Sequence, residues 1–487
     1  MKKIILITSL IISSILVCNG QKKETFTLKK VLEIANENSP TLIQTRLSLI
    51  QSEENLKAQN ADMKSQFSLK LDPFSYSNRT SFDKRTSTWF TNKTMGSNGT
   101  FTIAQPIVFT DGVISLNNRF GWQKSETVGR LEDETFSNKL YLSIEQPIFT
   151  YNRRKMRLKE LEFDYENSKM SYILKKLNIE KTVTQQFYQV YKDQKDLTIA
   201  KEEFRNQEKN YNMIKAKVEA GLLKKEELFQ AEVNFATSKS NLYNKEIALE
   251  NSKDGFRQSL GIGLDRDFLI LANVKTDKID LDMQDAVQKG LNQRMELRQK
   301  EIATEQALFN LIKTKASNEF KGSISASFGL LGQNSDVNKM FHKPSDDQAV
   351  TVSLNIPVWD WGAKRARVRA SKAAIESSRI DTKELKKSIE IDIRKTCRSI
   401  PNLLKQIEIA KQNVSNAERT YDLNLEKYKL GNLTGMQLQQ FQDQLTQKKQ
   451  SVTSAIISYK LELLNLKIQT LWDYKTNKSY LKSNSIK

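Results

Sequence analysis

A single histidine, His342, occurs in the 487 residues, within the polar stretch "MFHKPSDDQ". A lone loop histidine is normally solvated. The two cysteines, Cys18 and Cys397, cannot make an intrachain disulfide once a leader carrying Cys18 is removed. The sequence has no P-loop, no dinucleotide-binding glycine fingerprint and no Cys/His metal spacing. Its many carboxylates follow helix-surface periodicity instead of pairing in a cleft. The reading is therefore of a chain with no enzyme activity and no cofactor. The residues with a specific physical job are prolines, aromatics and basic runs that recur in one order. "LSIEQPIFTYNRRKMRLK" at 142–159 and "VSLNIPVWDWGAKRARVR" at 352–369 share a plan, with Pro147 and Pro357 separated by 210 residues. In each, an alternating strand meets a proline, a pair of aromatics (Phe149 and Tyr151, or Trp359 and Trp361) and a basic helix start. Proline ends a strand ladder, aromatics suit the headgroup depth of a bilayer, and a basic run behind them suits anionic lipid or solvent.

Four elements must position such junctions. Phe67, Leu69 and Leu71, then Leu140, Leu142 and Ile144, alternate with polar residues. Ile324, Ala326, Phe328 and Leu330, then Val350, Val352, Leu354 and Ile356, do the same. The opposite face is Ser, Thr, Asn and Gly, and the strands approach the length a tilted membrane strand needs. No proline falls between Pro147 and Pro344, which suits long helices. The roughly 64 residues from Arg157 to Ala220, at about 1.5 Å each, make about 95 Å of helix, three times a bilayer's hydrocarbon thickness. Such a helix must stand in water. After Pro401, which should kink its helix, Leu403, Ile407, Ala410, Val414, Ala417, Tyr421 and Tyr428 follow a seven-residue seam, as do Leu438, Phe441, Leu445, Val452, Ala455, Tyr459 and Leu466.

The chain is a tandem duplication. "VEAGLLKKEELFQAE" from Val218 matches "YKLGNLTGMQLQQ" from Tyr428 at the 210-residue offset, whereas "VLEIANENSP" from Val31 matches "AVQKGLNQRM" from Ala286 at about 255. The first half thus holds about 45 extra residues, with "TFTIAQP" and "VISLNNRFGW" forming an extra hairpin near 98–124. The expected division is a signal peptide at 1–20, a first repeat at 21–262 (strands near 65–148, long helices 153–260), a second repeat at 263–475 (strands near 321–358, long helices 363–472) and a polar tail at 476–487. "MKKIILITSLIISSILVCNG" has the charged start, short apolar run and small-residue ending of a secretory leader. Cys18 also raises lipidation as an alternative. Lys+Arg 77 against Asp+Glu 57 gives +20. The excess is spread along helices, so it reads as solvated faces with an attraction for anionic lipid, and no nucleic acid is expected.

Four core strands per chain cannot close a barrel, because open edges in lipid leave backbone groups unpaired. Two copies would give a plugged eight-stranded ring, whereas three give twelve strands and begin to open a lumen. On the duplicated junctions and the two helix-tip motifs, the chain from 24 to about 472 resembles the TolC family of outer-membrane efflux and secretion channels. The resemblance implies a homotrimer in the outer membrane of a Gram-negative bacterium. Its transmembrane β-barrel would be continued by an α-helical coiled-coil barrel in the periplasm, the exit duct of a tripartite efflux or type I secretion system. It implies docking to a periplasmic adaptor (membrane fusion) protein and, through it, to an inner-membrane efflux pump or ABC transporter. The docking tips would be Gly221, Leu222, Leu430 and Gly431. A periplasmic gate would involve Tyr428 and Glu227, the latter where the family has Asp; Leu433 stands at the family's basic position and Gln437 replaces an acidic residue. Other contacts, such as Lys224, Lys225 or Lys429, would then serve the gate. The alternative is an exported coiled-coil structural or adhesive protein without a pore.

Overall fold

A computed structural model describes residues 24–84, 87–127, 132–276, 278–317 and 319–480. The expected leader, with Cys18, lies outside them. The duplication is legible in the element bounds. Helices α1 (Leu28–Asn38) and α2 (Pro40–Asp62) recur as α5 (Met283–Gln293) and α6 (Met295–Ser317), offset by 255. Helices α3 (Arg153–Glu219) and α4 (Lys225–Leu260) recur as α7 (Ala363–Lys429) and α8 (Gly435–Thr470), offset by 210. Both members of the first long pair have 67 residues and both of the second have 36. Helix α7 continues through Pro401 without interruption.

The chain divides into two compact units. One comprises Ser48–Lys169 and Arg298–Thr382 and holds a six-stranded sheet. Its strands are β2 (Gln66–Asp83), β3 (Thr88–Ile107), β4 (Gly112–Thr127), β5 (Asp133–Ile148), β7 (Lys321–Asn334) and β8 (Ser345–Asn355), in the order β2-β3-β4-β5-β7-β8. Every neighbouring pair is antiparallel. The four expected core strands are thus joined, in one sheet, by both strands of the extra hairpin. Register aligns one apolar row: Leu69 faces Phe101, Leu116 faces Leu142, Leu142 faces Phe328, and Ala326 faces Val350. The large side chains of this row are exposed from Phe67 to Val350. The opposite face is polar and cross-linked: Thr102 Oγ1 donates to Asn117 Oδ1 (2.8 Å) and Asn117 Nδ2 to Ser143 Oγ (3.3 Å). Lys139 pairs with Asp347 on that same face. In the flanking helices of this unit Arg298 forks onto Glu166 (2.8 and 3.2 Å) and Thr304 bonds Ser378 (2.8 Å).

The other unit, from 24 to Leu47 with Met170–Leu297 and from Lys383 onward, is helical. Each repeat supplies a matching core. In the first, β1 (Glu24–Phe26) pairs in parallel with β6 (Phe268–Ile270), and Phe26 stacks on Phe268 at 4.7 Å above Phe187 and Phe256. In the second, Ala286 and Leu297 meet Ile393, Ile400, Tyr459 and Leu466. Cys397 is buried in this second core. The predicted seam residues Ile407, Leu438, Leu445, Tyr459 and Leu466 are all buried. Past α8, β9 (Trp472–Asp473) pairs with β10 (Lys478–Ser479), and Tyr480 is buried with its hydroxyl donating to Glu180. The predicted tail therefore begins docked, and its residues 481–487 lie outside those described.

Candidate functional site: strand-to-helix junctions and helix tips

At the first junction Pro147 does not end the ladder. It still faces Ser323, and Ile148 faces Gly322. Proline is tolerated because β4 has already stopped pairing with β5 at Glu145, so the missing N–H falls on an unpaired side. Gln146 takes over there, its amide donating to Thr110 O and Pro147 O, both at 2.8 Å. Gln105 does the same to Pro106 O (2.8 Å), which is the structural content of the repeated "QPI". Pro357 in contrast lies two residues beyond β8. Phe149 (φ 58°) and Trp361 (φ 55°) share a positive φ; Phe149 packs on Phe320 at 4.9 Å, Trp359 and Trp361 meet edge to face at 5.7 Å, and Phe149, Trp359 and Trp361 are all exposed.

The basic run behind Pro147 is not simply solvated. Asp111, in the turn between β3 and β4, is 4% exposed and accepts from the backbone N–H groups of Arg153 and Arg154 (3.3 Å each) and from Arg153 Nε (2.8 Å). Arg154 Nε lies 3.3 Å from its other oxygen. A carboxylate at a helix N-terminus satisfies orphan donors and complements the helix dipole. Asn152 adds a second cap, accepting from Lys155 N at 2.8 Å, and donates to Val108 O (2.6 Å). At the second junction Asp360 caps α7 through Gly362 N (2.9 Å) and Lys364 N (2.8 Å). Sequence reasoning missed Asp111 as a site residue. Its signal was there, a hairpin-turn Asp-Gly a few residues past the first "QPI".

The two tips are the same reversal written twice. Gly221 (φ 70°) bonds Val218 O and Leu222 N bonds Lys217 O; Gly431 (φ 81°) bonds Tyr428 O and Asn432 N bonds Lys427 O. This is a left-handed helix stop that glycine adopts without strain. Leu222 and Leu430 stand 73% and 76% exposed. Beneath them Ile214, Ala231, Tyr428 and Leu438 form a small core, flanked by Leu433. Lys217 Nζ donates to Lys429 O (3.2 Å), joining one tip to the other, while Lys429 itself pairs with Glu426 (2.6 Å). Gln437 closes a capping box with Thr434. Glu227 and Tyr428 both border Gly435: a methyl group there would sit 3.3 Å from Glu227 Oε2 and 3.9 Å from the Tyr428 hydroxyl. Burial, with the Glu227 charge behind it, pushes the Tyr428 hydroxyl up to about 12. Among the described residues no cluster of His, Cys, Asp or Glu is placed to hold a metal ion, and no helix is long and apolar enough to cross a membrane.

A one-sided apolar sheet joined to duplicated long helices is the build of an outer-membrane channel protein. The family model described as outer membrane efflux protein matches residues 113–262 and 286–467, and the chain belongs to that family. The fold agrees with the crystal structure of the Campylobacter jejuni CmeC outer membrane channel (TM-score 0.70, 13% identity, 91% of this chain and 85% of that one). It agrees also with VceC from Vibrio cholerae (TM-score 0.65, 12% identity, 91% and 95%) and with the open state of the Neisseria gonorrhoeae MtrE channel (0.65, 13%, 92% and 89%). No curated protein matches the sequence significantly. The protein is an outer membrane efflux channel of two structural repeats.

Proposed function

We propose that the chain is the exit duct of a tripartite efflux or type I secretion system, acting as a homotrimer whose helices stand in the periplasm. The duct conducts passively, and an inner-membrane efflux pump or ABC transporter supplies the energy through a periplasmic adaptor. The observation that carries this reading is the pair of matched tips, each ending in a glycine reversal with an exposed leucine, Leu222 or Leu430. Exposed apolar residues on rigid hairpin ends suit docking onto another protein. Lys217 Nζ, donating to Lys429 O at 3.2 Å, ties the two hairpin tips of one copy together, so opening works by moving tips as paired units.

The test is crosslinking in intact cells through Leu222→Cys or Leu430→Cys, with Cys397 replaced by alanine, followed by identification of what is captured. A periplasmic adaptor is expected at both positions. Capture of outer-membrane or surface proteins only, together with absence of ion conductance in planar bilayers, would instead favour a pore-less structural protein.

A further inference from the structure

The hairpin β3–β4 is the one part of the sheet that the duplication does not explain, and its place sets the width of any closed barrel. In a four-strand plan β2 and β5 would be neighbours. Here they are separated: β3 pairs with β2 from Gln66↔Ala104 to Asp83↔Thr88, and β4 with β3 from Asn92↔Thr127 to Ile107↔Gly112. Pairing then continues from β4 to β5 over Val113–Ser125.

The hairpin also carries the same two faces as its neighbours. Phe101, Ile103 and Leu116 lie in the apolar row that includes Leu69 and Leu142, and Phe101, Leu116 and Phe120 are exposed there. Asn118 and Asn138, the polar breaks that the hairpin shares with β5 on that face, are mutually hydrogen-bonded (3.2 and 3.5 Å), as polar groups facing hydrocarbon must be; Asp346 and Gln348 interrupt the same face on β8, opposite Leu330 and Phe328. On the reverse face Thr102, Asn117 and Ser143 link three strands. A hairpin folded over the mouth of a pore would have water on both sides and no use for such alternation. Its turn is fixed at the helix end of the sheet by Asp111 on the first turn of α3.

We infer that β3 and β4 are part of the membrane wall, so that each copy supplies six strands and a ring of three closes with eighteen. This rests on the homotrimeric channel proposed above. Strands about 4.8 Å apart and tilted about 40° each take up about 6.3 Å of circumference. Twelve strands then give a backbone diameter of about 24 Å and eighteen about 36 Å. Side chains no longer restrict the wider lumen strongly, so size selection falls to the helical tips, and solutes bulkier than small drugs pass the outer-membrane section.

Two measurements test this. Electron microscopy of the wild-type protein in lipid nanodiscs should show a ring about 36 Å across at the backbone, with native mass spectrometry giving three copies. A ring of about 24 Å, or two copies sharing twelve strands, overturns the inference. Independently, single cysteines at Thr100, Phe101, Thr102 and Ile103, in a Cys397→Ala background reconstituted in vesicles, are exposed to a membrane-impermeant maleimide. Labelling at Thr100 and Thr102 with protection at Phe101 and Ile103 supports a wall strand; equal labelling at all four places the hairpin outside the membrane and overturns it. Failure of the channel reading is separable, because then the wild-type protein conducts no ions at all, whereas a misplaced hairpin leaves conductance intact.

Discussion

Asp111 has a long structural reach, because one carboxylate holds the hairpin turn and caps α3 at once. Asp111→Ala removes acceptors from two orphan N–H groups and leaves two guanidinium groups without their buried partner. A loss of about 2 kcal/mol is expected, read as a lower temperature for the band shift of folded protein on an unheated gel. Asp111 sits at φ 65°, a conformation that asparagine tolerates. Asp111→Asn keeps the turn and part of the cap, so it should recover more than half of the loss. An equal loss in both variants would assign the effect to charge alone.

At the scale of elements, the duplication makes a controlled comparison. Gly221 and Gly431 have positive φ and nothing within 4 Å of an added methyl group, so alanine there strains only the backbone. Each substitution should cost about 1–2 kcal/mol, and the two should match, as thermal melts of the separate variants can show. A second comparison concerns α3, where Glu203 is buried and desolvation, with Asp443 nearby, raises its carboxyl above the ordinary range. A raised folded value means this group favours the folded state fully below the ordinary carboxylate range, and the contribution fades as pH rises through the folded value. Glu203→Gln removes that dependence and should raise stability by about 1 kcal/mol at neutral pH. Melts from pH 4 to 8 decide it: the variant's curve should be flatter, and a variant equally sensitive to pH would assign the dependence elsewhere. The two offsets, the coiled-coil seam and the alternating strands were all legible in the sequence, because each is a periodicity that one chain writes along itself. The role of Pro147 was not legible. Whether a proline ends a ladder depends on which side its neighbour has stopped pairing, and that neighbour, β4, belongs to the insertion present in only one repeat. The gate residues Tyr428 and Glu227 came from family resemblance, whereas the burial of Tyr428 among Ile214, Ala231 and Leu438 depends on packing between two hairpins that no local periodicity reveals.

The architecture of the assembled protein turns on which solvent the apolar row meets. The sheet of one chain ends in two open edges, β2 and β8, and an uncovered row of large apolar side chains crosses all six strands. A water-soluble protein would hide such a row, or would accept a charge in it gladly. A membrane wall distinguishes its faces instead, since a cation facing hydrocarbon is expensive while one facing a wet lumen is not. Phe328 and Ser327 are consecutive in the middle of β7, pointing to the apolar and the polar face respectively. Phe328→Arg should cost about 2–4 kcal/mol near the bilayer midplane, whereas Ser327→Arg should stay within about 1 kcal/mol of wild type. The readout is the folded fraction on refolding into lipid vesicles, measured by the gel shift across a urea series. Equal tolerance of arginine at both positions would mean that lipid does not cover the apolar row. The barrel, its closure by several copies and the strand count would then all lose their physical basis together, because each follows from backbone edges and apolar side chains having no water to meet.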